Sequence, residues 1–347
     1  MGLREYIIRR LLLLIPIMLG VVLLIFAIMQ FVPPAQRVVV FIHNIREASN
    51  IDAVIHEYGL DAPIWVQFYN WLTGILQGNF GYSAAHSQPV LQELLDRAPA
   101  TFEIVMFSAP IIILAGIWLG VQSAVKKDKV FDQATRIFSI LGTSLPSFFF
   151  GVILSAIFIA QLRWVSSGRI TPTLFTGIEA LISKGGWHSY TGLMTIDSIL
   201  NGRLDVTLDA LEHLVLPVLV LVFIQTAVLV RVTRSSMLES LSKTYVTAAR
   251  AKGLTRNEVI YKHARRNALI PVVTISGLLV GGMMTGLIIT ETVFLFPGIG
   301  SWAAQAAQTF DLAVVVIYAM FSALVFVLAN LIVDVLYAYI DPRIRLG

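Results

Sequence analysis

The stretch TYVTAARAKGLTRNEVIYKHARRNALIPVVT, Thr244 to Thr274, decides how this chain is read. Tyr245, Val246, Ala248, Ala249 and Ala251 favour a short helix with an apolar side. Gly253 then terminates it, because glycine takes the left-handed conformation without a steric penalty. A second helix restarts at once. Thr255 with Glu258 three positions later has the spacing of a capping box, and Leu254 and Val259 have that of a hydrophobic staple. The expectation is two short helices broken at one glycine, an elbow lying between two membrane spans.

Charge sets the elbow in context. From Arg231 to Arg266 there are nine Lys and Arg against two acids, Glu239 and Glu258. Cytoplasmic loops of membrane proteins are basic as a rule, which accounts for the sign. It does not account for order, since a connector of about thirty residues needs no cap and no defined turn. An ordered basic elbow therefore reads as a docking element.

The rest of the chain supplies the membrane. Hydrophobic residues make up 57% of the 347 and charged residues only 13%, roughly half the usual charged share. Apolar runs of spanning length occupy 11–32, 102–124, 137–162, 214–230, 268–290 and 312–339, each sufficient for about 30 Å of hydrocarbon. The first is too long for a secretory signal and ends at Pro33 and Pro34 rather than at a cleavage site. Six spans put both termini on one side. With the N-terminus in the cytoplasm, 18 of the 25 Lys and Arg fall inside, as the positive-inside rule requires. The expected fold is an all-α integral membrane protein with six transmembrane helices, cytoplasmic termini and a cytoplasmic helix–Gly–helix elbow at 231–267. Residues 1–32 form the N-terminal tail and first span, 33–101 a first extracytoplasmic segment, and 102–347 a core interrupted outside by 163–213.

In the two outer segments acids outnumber the seven Lys and Arg. Trp65, Phe68, Tyr69, Trp71, Leu72, Ile75 and Leu76 recur at near-helical spacing there, as interfacial anchors or as a face for a soluble partner. Every expected span but the last contains a proline, which neighbouring helices make tolerable in lipid. In the fifth span, Gly277 with Gly281 and Gly282 with Gly286 form two small-xxx-small pairs on different sides of one helix. That pattern, with Met283 between them, marks a candidate pathway wall. Phe294 and Phe296, in the turn-rich TETVFLFPGIGSW (Thr290–Trp302), suit the interface. Asp334 alone among the charged residues lies deep in an apolar run, where it is expected to contact Asn330.

The elbow resembles the cytoplasmic EAA loop of ABC-importer permeases, and YVTAARAKGL followed by HARRNALIPVVT is most similar to the dipeptide/oligopeptide branch. Thr247, Ala248, Ala249 and Gly253 fall on the motif's Glu-Ala-Ala and Gly. The Glu is missing, and His263 to Arg266 replace the usual Ile-x-Leu-Pro, with proline deferred to Pro271. LDAPIWVQFYNWLTGILQGNFGYS, Arg97, Thr101 and Glu103, TETVFLFPGIGSW and NLIVDVLYAYIDPRIR are similar to the same branch. The resemblance implies a prokaryotic inner-membrane permease with a second related permease, two ABC ATPase subunits and an extracytoplasmic solute-binding protein as partners. It also implies that Tyr245, Ala248, Ala249, Arg250, Lys252, Gly253, Thr255, Arg256 and Glu258 meet the ATPase, and that Ala249 and Gly253 are tight-packing positions.

The chemistry missing from the sequence is consistent with this. There is no GxxxxGK[ST] phosphate loop and no HExxH, the six histidines are scattered, and cysteine is absent. No catalytic role, cofactor, metal or nucleic-acid partner is expected, and surrounding lipid is. The alternative class is a self-contained ion-coupled carrier or channel for a small solute, in which Asp334 becomes central. A scarcity of buried ionisable groups weighs against it.

Overall fold

The computed structural model describes residues 3–42, 50–83 and 85–340. Helix α1 (Leu3–Met29) is followed by short helical segments, among them Pro34–Arg37 and Ile51–Glu57, and then by α2 (Ile64–Leu76). A two-stranded hairpin, β1 (Tyr82–Ser83) with β2 (Gln88–Pro89), leads into α3 (Val90–Val125). Then come α4 (Val130–Ser144), α5 (Ser147–Leu154), α6 (Pro172–Ser183), α7 (Met194–Leu200) and α8 (Leu204–Leu241). The elbow supplies α9 (Thr244–Ala251), and a π-helical segment Glu258–Ala264 opens α10 (Arg265–Met284). Helices α11 (Ile288–Phe294), α12 (Ile299–Thr309) and α13 (Leu312–Ile340) complete the chain.

Five helices are long and apolar enough to cross a membrane, and a bent pair makes up to six spans. The bent pair is α4 with α5 and its π-helical continuation to Gln161, whose arms meet at 97°. The run expected to span over 137–162 is thus sharply bent. Pro146 has no N–H to donate and forces the residue before it out of the helical region. Leu145 accordingly sits at φ −79°, ψ 122°. Apolar residues flank Pro146 on both sides, from Ile140 and Leu141 to Phe148 and Phe149, and so hide the break.

The centre of the bundle is the pair α3 and α8. Lipid offers apolar side chains no hydrophobic gain on meeting each other, so close backbone approach and dispersion decide which helices pack. Glycines provide the approach. A Cβ on Gly116 would stand 2.7 Å from Leu229 Cδ2, and one on Gly120 would stand 2.4 Å from Thr233 Cβ. Gly142 brings α4 onto the same helix, where a Cβ would lie 2.4 Å from Ala227 Cβ. Helix α13 packs on α10 through Gly277, whose Cβ would fall 1.9 Å from Val333 Cγ2, and Gly281, 2.6 Å from Ala329 Cβ.

Only one of the two expected glycine pairs therefore packs. Gly282 is exposed and a Cβ there meets nothing within 4 Å. Gly286 lies beyond the helix at φ +127°, with its own hypothetical Cβ 2.8 Å from the Gly300 backbone. The fifth span ends at Met284 rather than near 290, because the chain turns there to start α11. Met283 is buried in the central core of this chain.

Two further expectations are corrected. Phe294 and Phe296 are buried at 3% and 1% exposure, so the turn between α11 and α12 plugs the core rather than the interface. Asp334 pairs with Arg10 of α1 at 3.0 Å, while the Asn330 amide donates to the Phe326 carbonyl. That ion pair places the start of α1 beside the end of α13. Gly277 meets Val333 and Gly281 meets Ala329, so α13 runs antiparallel to α10 and its end lies toward the start of α10. The bundle thus has a basic end, carrying 126–129 and 242–257, and a loop-rich end, carrying 30–42, 50–83, 85–89, 162–203 and 285–311.

At the loop-rich end Trp71, Phe68, Leu72 and Ile75 of α2 pack on Phe26 of α1, while Trp65, Tyr69 and Leu76 face outward. Arg37 is buried beneath them and donates to Gln30 Oε1 at 2.6 Å and Gln67 Oε1 at 3.0 Å. Burial lowers the pKa of its guanidinium.

Candidate functional site at the basic end

The elbow follows the end of α8. Gly253 has φ +79°, the left-handed turn that only glycine takes without strain, and a Cβ there would meet nothing within 4 Å. Its requirement within this chain is conformational, and the space around it is open to a partner. The capping box is formed: Thr255 N and Oγ1 donate to Glu258 Oε2 at 3.0 and 2.8 Å, and Glu258 N donates to Thr255 Oγ1 at 3.4 Å. Where the sequence suggested a separate second helix, the chain enters the π-helical segment 258–264 and runs directly into α10. The elbow's second arm is the root of the span itself.

The first arm is fastened along one face. Val246 and Ala249 of α9 are buried with Val121 and Ala124 of α3, Met237 of α8, and Val259, Ile260, Ala264 and Ala268. Ala249 is thus a packing position against this chain's own core. Ser240 donates to the Ala264 carbonyl at 2.7 Å, so its proton is spent and the hydroxyl of Tyr245 is the donor in the Tyr245–Ser240 bond. Gln122 of α3 reaches Tyr261 Oη at 2.9 Å. Ala248, Arg250, Lys252, Gly253, Thr255, Arg256 and Glu258 are exposed. Beside them a cleft of about 550 Å³ opens between the elbow and the end of α3, lined by Ala124, Val125, Leu241, Arg250, Leu254, Arg256, Val259 and Ile260.

Next to the elbow, the α3–α4 loop is held by Asp132, which the sequence does not single out. This carboxylate is fully buried. It accepts Arg234 Nε at 2.6 Å and Nη2 at 2.8 Å, Ser123 Oγ at 2.5 Å and Asp128 N at 2.9 Å. A two-pronged guanidinium contact of this kind fixes geometry as well as charge. Helices α3, α4 and α8 and the elbow are consequently one mechanical unit at this end.

The loop-rich end buries more carboxylates than the apolar pattern suggests. Glu291 accepts Thr101 Oγ1 at 2.7 Å, Ser301 N at 2.7 Å and Leu287 N at 3.0 Å, while Ile299 N donates to Thr101 Oγ1 at 2.9 Å. Ser301 lies in the first turn of α12, where the helix dipole favours a negative charge. Glu103 accepts Arg169 Nε at 2.8 Å and both N and Oγ1 of Thr195, at 2.7 and 2.8 Å. Asp311 accepts Ser83 Oγ at 2.8 Å.

A Ser166–His213–Asp209 juxtaposition also occurs, with Ser166 Oγ 2.5 Å from His213 Nε2. The nearest partner of His213 Nδ1 is the Asp209 carbonyl at 2.7 Å, not its carboxylate, which Thr171 occupies through N and Oγ1. The arrangement ties a loop to α8 rather than poising a nucleophile. Among the described residues no three His, Asp or Glu side chains gather as a metal site requires.

Comparison with known proteins matches residues 112–346 to the family described as binding-protein-dependent transport system inner membrane component, and residues 3–105 to the N-terminal region of such membrane components. The chain is 38% identical over 344 residues to the dipeptide transport system permease protein DppB of Escherichia coli (strain K12), covering 98% of each. It is 40% identical over 343 residues to the di/tripeptide transport system permease protein DppB of Pseudomonas aeruginosa (strain UCBPP-PA14), again covering 98% of each. With the oligopeptide transport system permease protein AppB of Bacillus subtilis (strain 168) it shares 35% over 341 residues, 98% of this chain and 99% of that one.

Proposed function

Because the chain belongs to the family of binding-protein-dependent transport system inner membrane components, we propose that it is the permease subunit of an ATP-driven importer of di- or oligopeptides, with the elbow as its point of coupling to the ATPase. The observation that carries the reading is the two-faced elbow. One face, Val246 and Ala249, is buried in a core shared by α3, α8 and α10, and the other presents Ala248, Arg250, Lys252 and Arg256 outward beside an open cleft. A partner pressing on α9 pushes through Tyr245 and Ser240 onto the first residues of α10. Because the second arm is continuous with α10, movement of the elbow tilts a span directly. The exposed cations supply charge complementarity, which governs partner choice more than affinity.

The peptide assignment rests on what the related permeases are named for. A soluble binding protein outside, a second permease and two ATPase subunits complete the machine on this reading, with the cytoplasm at the basic end. Asp334, on which a self-contained carrier would depend, is already paired with Arg10.

The test is Ala248→Trp in the complex co-expressed from the neighbouring permease and ATPase genes. Ala248 is exposed and its replacement leaves the buried face untouched, so membrane insertion is expected to be unchanged while co-purification of the ATPase subunits and binding-protein-stimulated hydrolysis are lost. Undiminished co-purification with normal uptake would overturn the docking assignment.

A further inference from the structure

Between α4 and α8, beside the Asp132 clamp, lies a groove of about 350 Å³ lined by Thr135, Arg136, Ser139, Ile140, Arg231, Arg234, Ser235 and Leu238. That is at the small end of the range for small-molecule sites. Three guanidinium groups line one groove, but only Arg234 is neutralised, by Asp132. Arg231 donates to Thr143 Oγ1 at 2.5 Å, and neither Arg231 nor Arg136 has a carboxylate partner among the described residues. Ser139 is 6% exposed, and its hydroxyl has no hydrogen-bond partner although it borders the groove. A buried hydroxyl left unpaired is costly, and its place in one groove with two uncompensated cations is that of a donor open to an anionic oxygen.

The surroundings choose the kind of anion. Ile137, Ile140 and Leu141 on the adjoining face of α4 are 59%, 57% and 51% exposed, and Phe148, Phe149 and Val152 continue an apolar surface along α5. A ligand with an anionic head and long apolar tails fits this surface. A peptide fits less well, because its ammonium end needs a carboxylate, and the one carboxylate bordering the groove is engaged by Arg234, Ser123 and Asp128.

We propose that the groove between α4 and α8 binds the phosphate of an anionic glycerophospholipid through Arg136, Arg231 and Ser139, with the acyl chains lying along the exposed apolar face of α4. The bound lipid bridges the bent pair to the central helix. It compensates the two cations and satisfies the Ser139 hydroxyl. Phosphate held by a pair of guanidiniums and a hydroxyl receives charge-assisted bonds from both sides, whereas a zwitterionic headgroup adds its own cation to a site already rich in them.

The experiment is lipid retention by the full chain purified in detergent, read by extraction and mass spectrometry, with thermal shifts on adding phosphatidylglycerol, phosphatidylcholine or an N-acetylated dipeptide. Wild type is expected to retain phosphatidylglycerol over phosphatidylcholine and to be stabilised by the former alone. Arg136→Gln is expected to lower retention roughly tenfold, the equivalent of about one charge-assisted bond. Arg136 is exposed and makes no internal ion pair, so that variant folds normally, and Ser139→Ala, which removes an unpaired hydroxyl, should lose lipid without losing its melting temperature in lipid-free detergent. Equal retention of phosphatidylglycerol by wild type and Arg136→Gln overturns the proposal. So does stabilisation by the acetylated dipeptide with none by phosphatidylglycerol, which would make the groove a peptide-carboxylate site.

Discussion

The two ends of this bundle handle charge in opposite ways. At the loop-rich end the buried charged groups are mostly acids, and they are spent internally. Glu291 and Glu103 collect hydrogen bonds from backbone N–H groups at the starts of α12 and α7, from hydroxyls, and in one case from Arg169. At the basic end one buried carboxylate, Asp132, is spent in the same manner. The cations around it, Arg136, Arg231, Arg250 and Arg256, face outward. One end is closed upon itself by convergent bonds. The other leaves its cations at the surface. The contrast suits the docking proposed above, since internal satisfaction removes the groups a partner would need.

The contrast is most exposed to failure at Asp132, where the basic end behaves like its opposite. Asp132→Ala leaves Arg234 without its carboxylate at the edge of the bundle, and breaking a buried pair from one side costs about 3 kcal/mol or more. Ser123 and the Asp128 amide lose their acceptor as well. The expected result is a sharply lowered melting temperature in detergent, with reduced yield in membranes. If the variant melts with wild type, the clamp contributes little and the basic end is looser than its geometry implies.

A second, smaller effect tests the loop-rich end. A Cβ on Gly298 would stand 2.3 Å from Glu291 Cδ, and Glu291 is pinned by three donors, so neither side can yield cheaply. Overpacking of this kind costs roughly 1–3 kcal/mol. Gly298→Ala is expected to fall in that range by thermal melting, whereas Gly282→Ala, whose Cβ meets nothing within 4 Å, should be neutral or slightly stabilising. Equal effects at the two glycines would mean that the turn between α11 and α12 is not held by its carboxylate.

These sites differ in how far they could be read from sequence. The elbow's cap at Thr255 and Glu258 spans three residues, so local spacing reveals it. Glu291 takes its hydrogen bond from Thr101 across 190 residues, and no periodicity links the two. The spans were legible because hydrocarbon demands long apolar runs, but the same runs conceal a break that apolar residues flank on both sides, as at Pro146. Glycine pairs signal close packing without naming the partner. Gly277 and Gly281 seat α13, Gly282 seats nothing within the chain, and the pair that seats α8, Gly116 with Gly120, carries the same spacing unremarked in a helix read only for its hydropathy.

The smallest expected effect lies at Gly253, and it asks whether the basic end is ordered for its own sake or for a partner's. The residue sits at φ +79° in an exposed turn with open space around its Cα, so no clash opposes a side chain there and only the left-handed conformation does. That conformation costs an ordinary L-residue about 1–2 kcal/mol, and a β-branched one more. The elbow's apolar face is buried in a core of its own, so Gly253→Ala is expected to lower the melting temperature of the isolated chain only slightly. In the assembled importer the same strain falls on the angle between α9 and the root of α10, through which the ATPase is proposed to act. Binding-protein-stimulated uptake is therefore expected to fall severalfold while insertion stays normal, and Gly253→Val is expected to fall further. Uptake that falls only in proportion to the loss of stability would make Gly253 a feature of folding alone, and the elbow's defined angle would no longer argue for a lever.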